Sequence, residues 1–128
     1  MQRQLIIFFI AISLIISCTK EEGKGGLAII RGKVFGYDIN TEEIITDSGY
    51  VANYDVFISY GDNTWVDDRT LTSPSGEYRF DGLTPGQYTL YVYSQCNSCL
   101  FNQETFIQTV EIKEAKETVT LPDFKIID

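Results

Sequence analysis

From position 86 to 94 the chain reads Gly-Gln-Tyr-Thr-Leu-Tyr-Val-Tyr-Ser, and this alternation is the strongest constraint on its fold. Successive side chains of a strand point to opposite faces. Tyr88, Leu90 and Val92 therefore share one face, and Thr89, Tyr91 and Tyr93 the other. A helix would scatter both sets around its axis. The same period groups Tyr54 with Val56 and Ile58, Tyr78 with Phe80, Val110 with Ile112, and Val119 with Leu121. Strands are expected near 27–37, 50–60, 64–71, 77–81, 87–94, 105–113 and 117–126. Turn-forming stretches separate them: Tyr60-Gly61-Asp62-Asn63, Ser73-Pro74-Ser75-Gly76 and Thr84-Pro85-Gly86. Eight Tyr, eight Phe and ten Gly against one Met fit the same reading. Seven short strands with a turn about every ten residues predict an all-β, two-sheet sandwich.

Charge and composition narrow the function. The chain has 128 residues, enough for one domain. Ten Lys and Arg against 18 Asp and Glu give a formal charge of −8, the wrong sign for a nucleic-acid partner. There is no histidine, so neither a Ser-His-Asp nor a Cys-His mechanism can be assembled. Paired carboxylates remain as a catalytic device, but no segment predicts the cleft they need. The expectation is a non-enzymatic chain with no catalytic residues and no cofactor.

The N-terminus reads as an address. Gln2 and Arg3 precede an apolar run from Leu5 to Ile16, interrupted by Ser13 and followed by Ser17 and Cys18. A positive start, an apolar stretch and a small residue before a break make a secretory signal. At about 1.5 Å per residue the twelve-residue run covers about 18 Å, too short for a roughly 30 Å hydrocarbon core. Ile15-Ile16-Ser17-Cys18 resembles the bacterial lipobox, which implies cleavage before Cys18 and lipidation of its thiol. Acyl chains such as palmitate contribute about 0.8 kcal/mol per buried CH₂, so several of them anchor almost permanently. Thr19-Lys20-Glu21-Glu22 resembles the short surface-export tag of Bacteroidetes-type lipoproteins. Gly23-Lys24-Gly25-Gly26 reads as a flexible linker. The expected organisation is a signal peptide over 1–17, a lipidated Cys18 with its tether over 18–26, and a single β-sandwich domain over 27–128. Losing Arg3 with the signal takes the formal charge from −8 to −9, so the lipid and not the protein face would do the anchoring.

The stretch 75–92 carries a more specific likeness. Gly76, Tyr78, Phe80, Leu83, Pro85, Gly86 and Tyr88 fit the hairpin pattern of carboxypeptidase-regulatory-like domains and the related Cna-B and SdrD B-type domains. Ile30-Arg31-Gly32-Lys33-Val34 resembles the first strand of those families. The resemblance implies a seven-stranded, transthyretin-like sandwich in which Tyr78 and Phe80 fill the core, Leu83 plugs the corner and Pro85-Gly86 turns the chain. It implies little chemistry, because such modules serve as spacers, stabilisers and binding platforms. In Cna-B-type relatives a first-strand Lys can bond to a last-strand Asn or Asp, which would implicate Lys33 and Asp123. The family's promoting Glu is missing from Tyr78-Arg79-Phe80-Asp81, so an outward-facing Lys33 is the reading kept.

Three further features are candidate sites. Cys96 and Cys99 remain as an even pair once Cys18 is lipidated, in an oxidising compartment. A disulfide between them would staple the loop over 94–101. Free thiols are the alternative, and a redox or metal pair a weaker one, since no helix follows the first cysteine and four zinc donors cannot be completed. Asp38, Asn40, Glu42 and Glu43, and separately Asp62, Asn63, Asp67 and Asp68, offer oxygens for calcium, although neither matches a full ligand loop. They read as solvated turns, with no metal expected. Trp65, Tyr91 and Tyr93 are the candidate ligand-binding residues, because flat aromatics beside acids and amides can stack on sugar rings.

Two functions follow. One is a lipid-anchored structural or protein-interaction module of the outer membrane, facing the cell surface beside a membrane-protein partner. The other is a carbohydrate-binding module that captures surface glycan on Trp65, Tyr91 and Tyr93.

Overall fold

The computed structural model describes residues 21–128. The signal segment, Cys18 and the start of the export-like tag lie outside the described residues. The described residues are mostly β, arranged as two sheets with a core between them, and a single 3-10 turn lies over Leu100–Asn102. Its strands are β1 (Lys24–Ile39), β2 (Ile45–Tyr50), β3 (Asp55–Tyr60), β4 (Asp68–Leu71), β5 (Glu77–Leu83), β6 (Gly86–Gln95), β7 (Gln103–Ile112), β8 (Thr118–Thr120) and β9 (Phe124–Ile127). Nine strands are formed among the described residues where seven are expected from the pattern.

β1 organises one sheet. Along its first half it pairs with β5 antiparallel and β8 parallel; along its second half it pairs with β2 antiparallel and β9 parallel. β8 and β9 are the two halves of the strand expected over 117–126. Pro122 interrupts it, because a proline has no N–H to give to the ladder. The other sheet runs β4-β3-β6-β7, antiparallel throughout.

Alternation places the core as the sequence pattern requires. Tyr88, Leu90 and Val92 are buried from β6, Val56 and Ile58 from β3, and Tyr78, Phe80 and Leu83 from β5. Ile30 and Val34 of β1 and Phe124 and Ile126 of β9 join the β5 residues in closing the core from the β1 sheet, opposite β3 and β6. Each fully buried side chain of this size contributes about 1.5–3 kcal/mol relative to exposure. Tyr54, Val119 and Leu121 are half-buried against this core. Gly76 closes the turn after β4, where its N–H bonds to the Ser73 carbonyl at 2.8 Å and its φ of +78° suits glycine.

Four expectations are corrected. Residues 21–26 do not read out as a loose tether: β1 begins at Lys24, and Gly26 lies so close to the Leu83 carbonyl that a Cβ would collide with it. The expected strand over 50–60 is two elements, with Tyr50 ending β2 and β3 starting at Asp55. The strand expected over 64–71 shrinks to Asp68–Leu71, which leaves Trp65 in a loop. The acidic excursion after position 38 contains a strand, β2, exposed along nearly its whole length.

Candidate binding face

The outer face of the four-stranded sheet gathers aromatic side chains. In β3 the residues that alternate with buried Val56 and Ile58 are Asp55, Phe57 and Ser59. The ladder sets Phe57 opposite Tyr91 and Tyr91 opposite Ile107, so one row crosses three strands. Phe57 and Tyr91 stack with centroids 5.2 Å apart and planes 19° from parallel. Tyr93 meets Phe57 edge-on at 5.6 Å and Tyr91 edge-on at 5.9 Å. Pairs of this geometry contribute about 0.5–1.5 kcal/mol beyond burial. Ile107 completes the row and is 62% exposed. Behind the cluster the Tyr54 hydroxyl donates to the Tyr93 carbonyl, which ties β3 to β6.

A shallow groove of about 330 Å³ runs along this face. Tyr91, Tyr93 and Ile107 form its floor, and Asn63 and Thr64 of the β3–β4 loop stand beside it. Hydroxyls of Ser59, Thr89 and Thr105 also line it, giving apolar rings among small polar groups. Burial, then the neighbouring Tyr93, pushes the Tyr91 hydroxyl above its ordinary range, so it stays a neutral donor. At the sheet edge Arg69 and Asp55 pair at 3.3 Å.

Tyr91 and Tyr93 are thus brought together. Among the described residues no ring pair includes Trp65. Its indole N–H donates to Asp67 Oδ1 at 2.9 Å, and its carbonyl accepts from the Ser59 hydroxyl at 2.5 Å. Phe57 and Ile107 were missing from the expected set. For Phe57 the signal was present, since it alternates with Val56 and Ile58; Ile107 needs the register of β6 with β7.

The remaining candidates are structural in form. Cys96 and Cys99 are joined as a disulfide across the β6–β7 connection. Their sulfurs lie near Glu104, the one metal-like grouping among the described residues, but a disulfide offers no thiolate. Beyond the bridge Leu100 and Phe101 stand 80% and 84% exposed. In the first acidic stretch Asn40 Oδ1 accepts from the N–H groups of Glu42 and Ile44, closing a turn. In the second, burial works to raise the Asp67 carboxyl, but donors from Tyr60, Asn63 and Trp65 outweigh it and leave it below the aspartate range. Lys33 and Asp123 are linked through Tyr50: the lysine ammonium lies 4.7 Å above its ring, and its hydroxyl donates to Asp123 at 3.0 Å.

No protein-family model matches the chain. No curated protein matches it either. Among solved structures, a crystal structure of a candidate carbohydrate-binding protein from Pseudomonas aeruginosa aligns over 78% of this chain and 90% of its own. The identity is 14% and the TM-score 0.48, a likeness that establishes neither a shared fold nor a shared ligand.

Proposed function

We propose that this chain is a non-catalytic, lipid-anchored module of the outer membrane, surface-facing, that docks a protein partner on the outer face of its four-stranded sheet. The observation that carries this reading is the Phe57–Tyr91–Tyr93 cluster continuing into exposed Ile107. Exposed aromatic and aliphatic side chains on a rigid sheet are the usual anchors of an interface. The lipid on Cys18, the export-like tag and the likeness of 75–92 to carboxypeptidase-regulatory-like and Cna-B hairpins support the envelope location and a transthyretin-like sandwich type.

A second reading has its own support. The groove pairs tyrosine rings with hydroxyl and amide groups, a combination suited to a sugar ring and its hydroxyls. Isolation of the lipidated protein in mild detergent, with mass spectrometry of what accompanies it, tests both. A stoichiometric membrane protein that is lost on Ile107→Glu supports the first reading. Recovery alone, with glycan retention lost on Tyr91→Ala, supports the second. Recovery alone without glycan retention overturns both.

A further inference from the structure

We propose that the end of the sandwich where the chain enters is its membrane-facing surface, and that Trp65 and Val66 rest on the lipid there. This rests on the reading that Cys18 carries the lipid. The entering chain is held against the corner before β6 and against β4. The Glu21 carbonyl accepts from the Thr84 hydroxyl at 2.7 Å, and the Gly23 N–H donates to the Tyr88 hydroxyl at 2.9 Å. The Thr84 N–H donates to the Gly23 carbonyl at 2.9 Å, and Lys24 pairs with Asp68 at 3.7 Å. Three peptide steps separate Cys18 from Glu21 and span at most about 10 Å. The headgroup layer is itself several ångströms deep, so this leash leaves the sandwich almost no room to stand off.

The β3–β4 loop shares that end. Gly61 abuts Glu22, whose carboxylate would lie 3.0 Å from a Cβ placed there. Beyond Gly61 the loop presents Trp65, 61% exposed, and Val66, 46% exposed. Tryptophan favours the membrane–water interface. The indole N–H is already satisfied by Asp67, so the ring meets the lipid without an unpaired donor. The entering chain and the β3–β4 connection carry acidic residues: Glu21, Glu22, Asp62, Asp67 and Asp68. Asp67 is occupied by three internal donors and Asp68 by Lys24. The contact therefore suits a zwitterionic surface and weakens on an anionic one. At the other end of β6, nine residue steps and about 30 Å away, the disulfide loop holds Leu100 and Phe101 clear of the bilayer.

Trp65 is the one tryptophan of the chain, so its fluorescence reports on this contact directly. The lipidated protein is reconstituted in phosphatidylcholine vesicles carrying spin-labelled lipid, with iodide as the aqueous quencher. Relative to a soluble Cys18→Ser form, iodide quenching of Trp65 falls about threefold and quenching by the labelled lipid appears. The double variant Trp65→Phe with Phe101→Trp moves the reporter to the far end, where iodide quenches fully and the lipid label does not. Protein that floats with the vesicles yet keeps Trp65 open to iodide overturns the orientation and leaves the anchor standing. Protein that neither floats nor carries acyl mass overturns the anchor and the orientation with it.

Discussion

The buried Tyr88 hydroxyl accepts from the Gly23 N–H at 2.9 Å and donates to the Thr84 carbonyl at 2.6 Å. One side chain of β6 therefore holds both the chain just before β1 and the corner before β6. Tyr88→Phe leaves the Gly23 N–H and the Thr84 carbonyl without this partner. The expected loss is about 1–3 kcal/mol, read from denaturant midpoints, with faster amide exchange concentrated over 21–26.

Tyr78 is the opposite case. Its hydroxyl is buried with no hydrogen-bond partner among the described residues, and burial, then the Asp123 charge, pushes it far above the ordinary tyrosine range. It sits against Gly32, where a Cβ would collide with it. Tyr78→Phe removes an unsatisfied polar group and keeps the ring, so stability stays level or rises by about 1 kcal/mol in thermal and urea unfolding.

Stability against pH follows from the shifted groups. Burial raises the hydroxyls of Tyr54, Tyr60 and Tyr91 above their ordinary 10.0, and a hydrogen bond to Asp123 does the same for Tyr50. A raised folded value means that this stability is complete below about pH 10 and is lost as pH climbs through the folded values. Asp67 and Glu117 are lowered, so their contribution is complete above about pH 5 and is lost as pH falls. With no histidine to titrate between these limits, urea midpoints measured across pH give a plateau with two shoulders. An inflection near neutrality would contradict this.

Reduction of the Cys96–Cys99 bridge opens a very short loop, so the chain-entropy contribution is about 1–3 kcal/mol. Backbone bonds from Cys99 to Cys96, from Asn102 to Cys99 and from Cys96 to Asn102 remain. Cys96→Ala with Cys99→Ala is expected to lower the midpoint modestly while the sheet amides keep their exchange protection, as measured by hydrogen exchange.

The faces of β6 are legible in the sequence because one side of that strand is in the core and the other is not, which writes a period of two. β2 is illegible for the converse reason: nearly all of it is exposed, so no face is marked by apolar residues. The glycines at 23, 25 and 26 look like a linker by composition, yet Gly26 is demanded by the Leu83 carbonyl, a contact that only the fold creates. Tyr91 and Tyr93 were visible as an outward pair. Their union with Ile107 depends on register, and the bond from the Trp65 N–H to Asp67 depends on the path of the β3–β4 loop.

The placement of β1 has a consequence for the order of events on a ribosome. Synthesis delivers β1 first, but two of its partners last: Ile29 pairs with Thr118 and Val34 with Phe124. Until β8 and β9 emerge, a sixteen-residue strand has one flank unpaired and open to other chains. Such distant pairing raises the contact order and slows the final closure. The β1 sheet thus closes only after β8 and β9 have emerged, a schedule that also suits any polypeptide that must stay unfolded while it crosses a membrane.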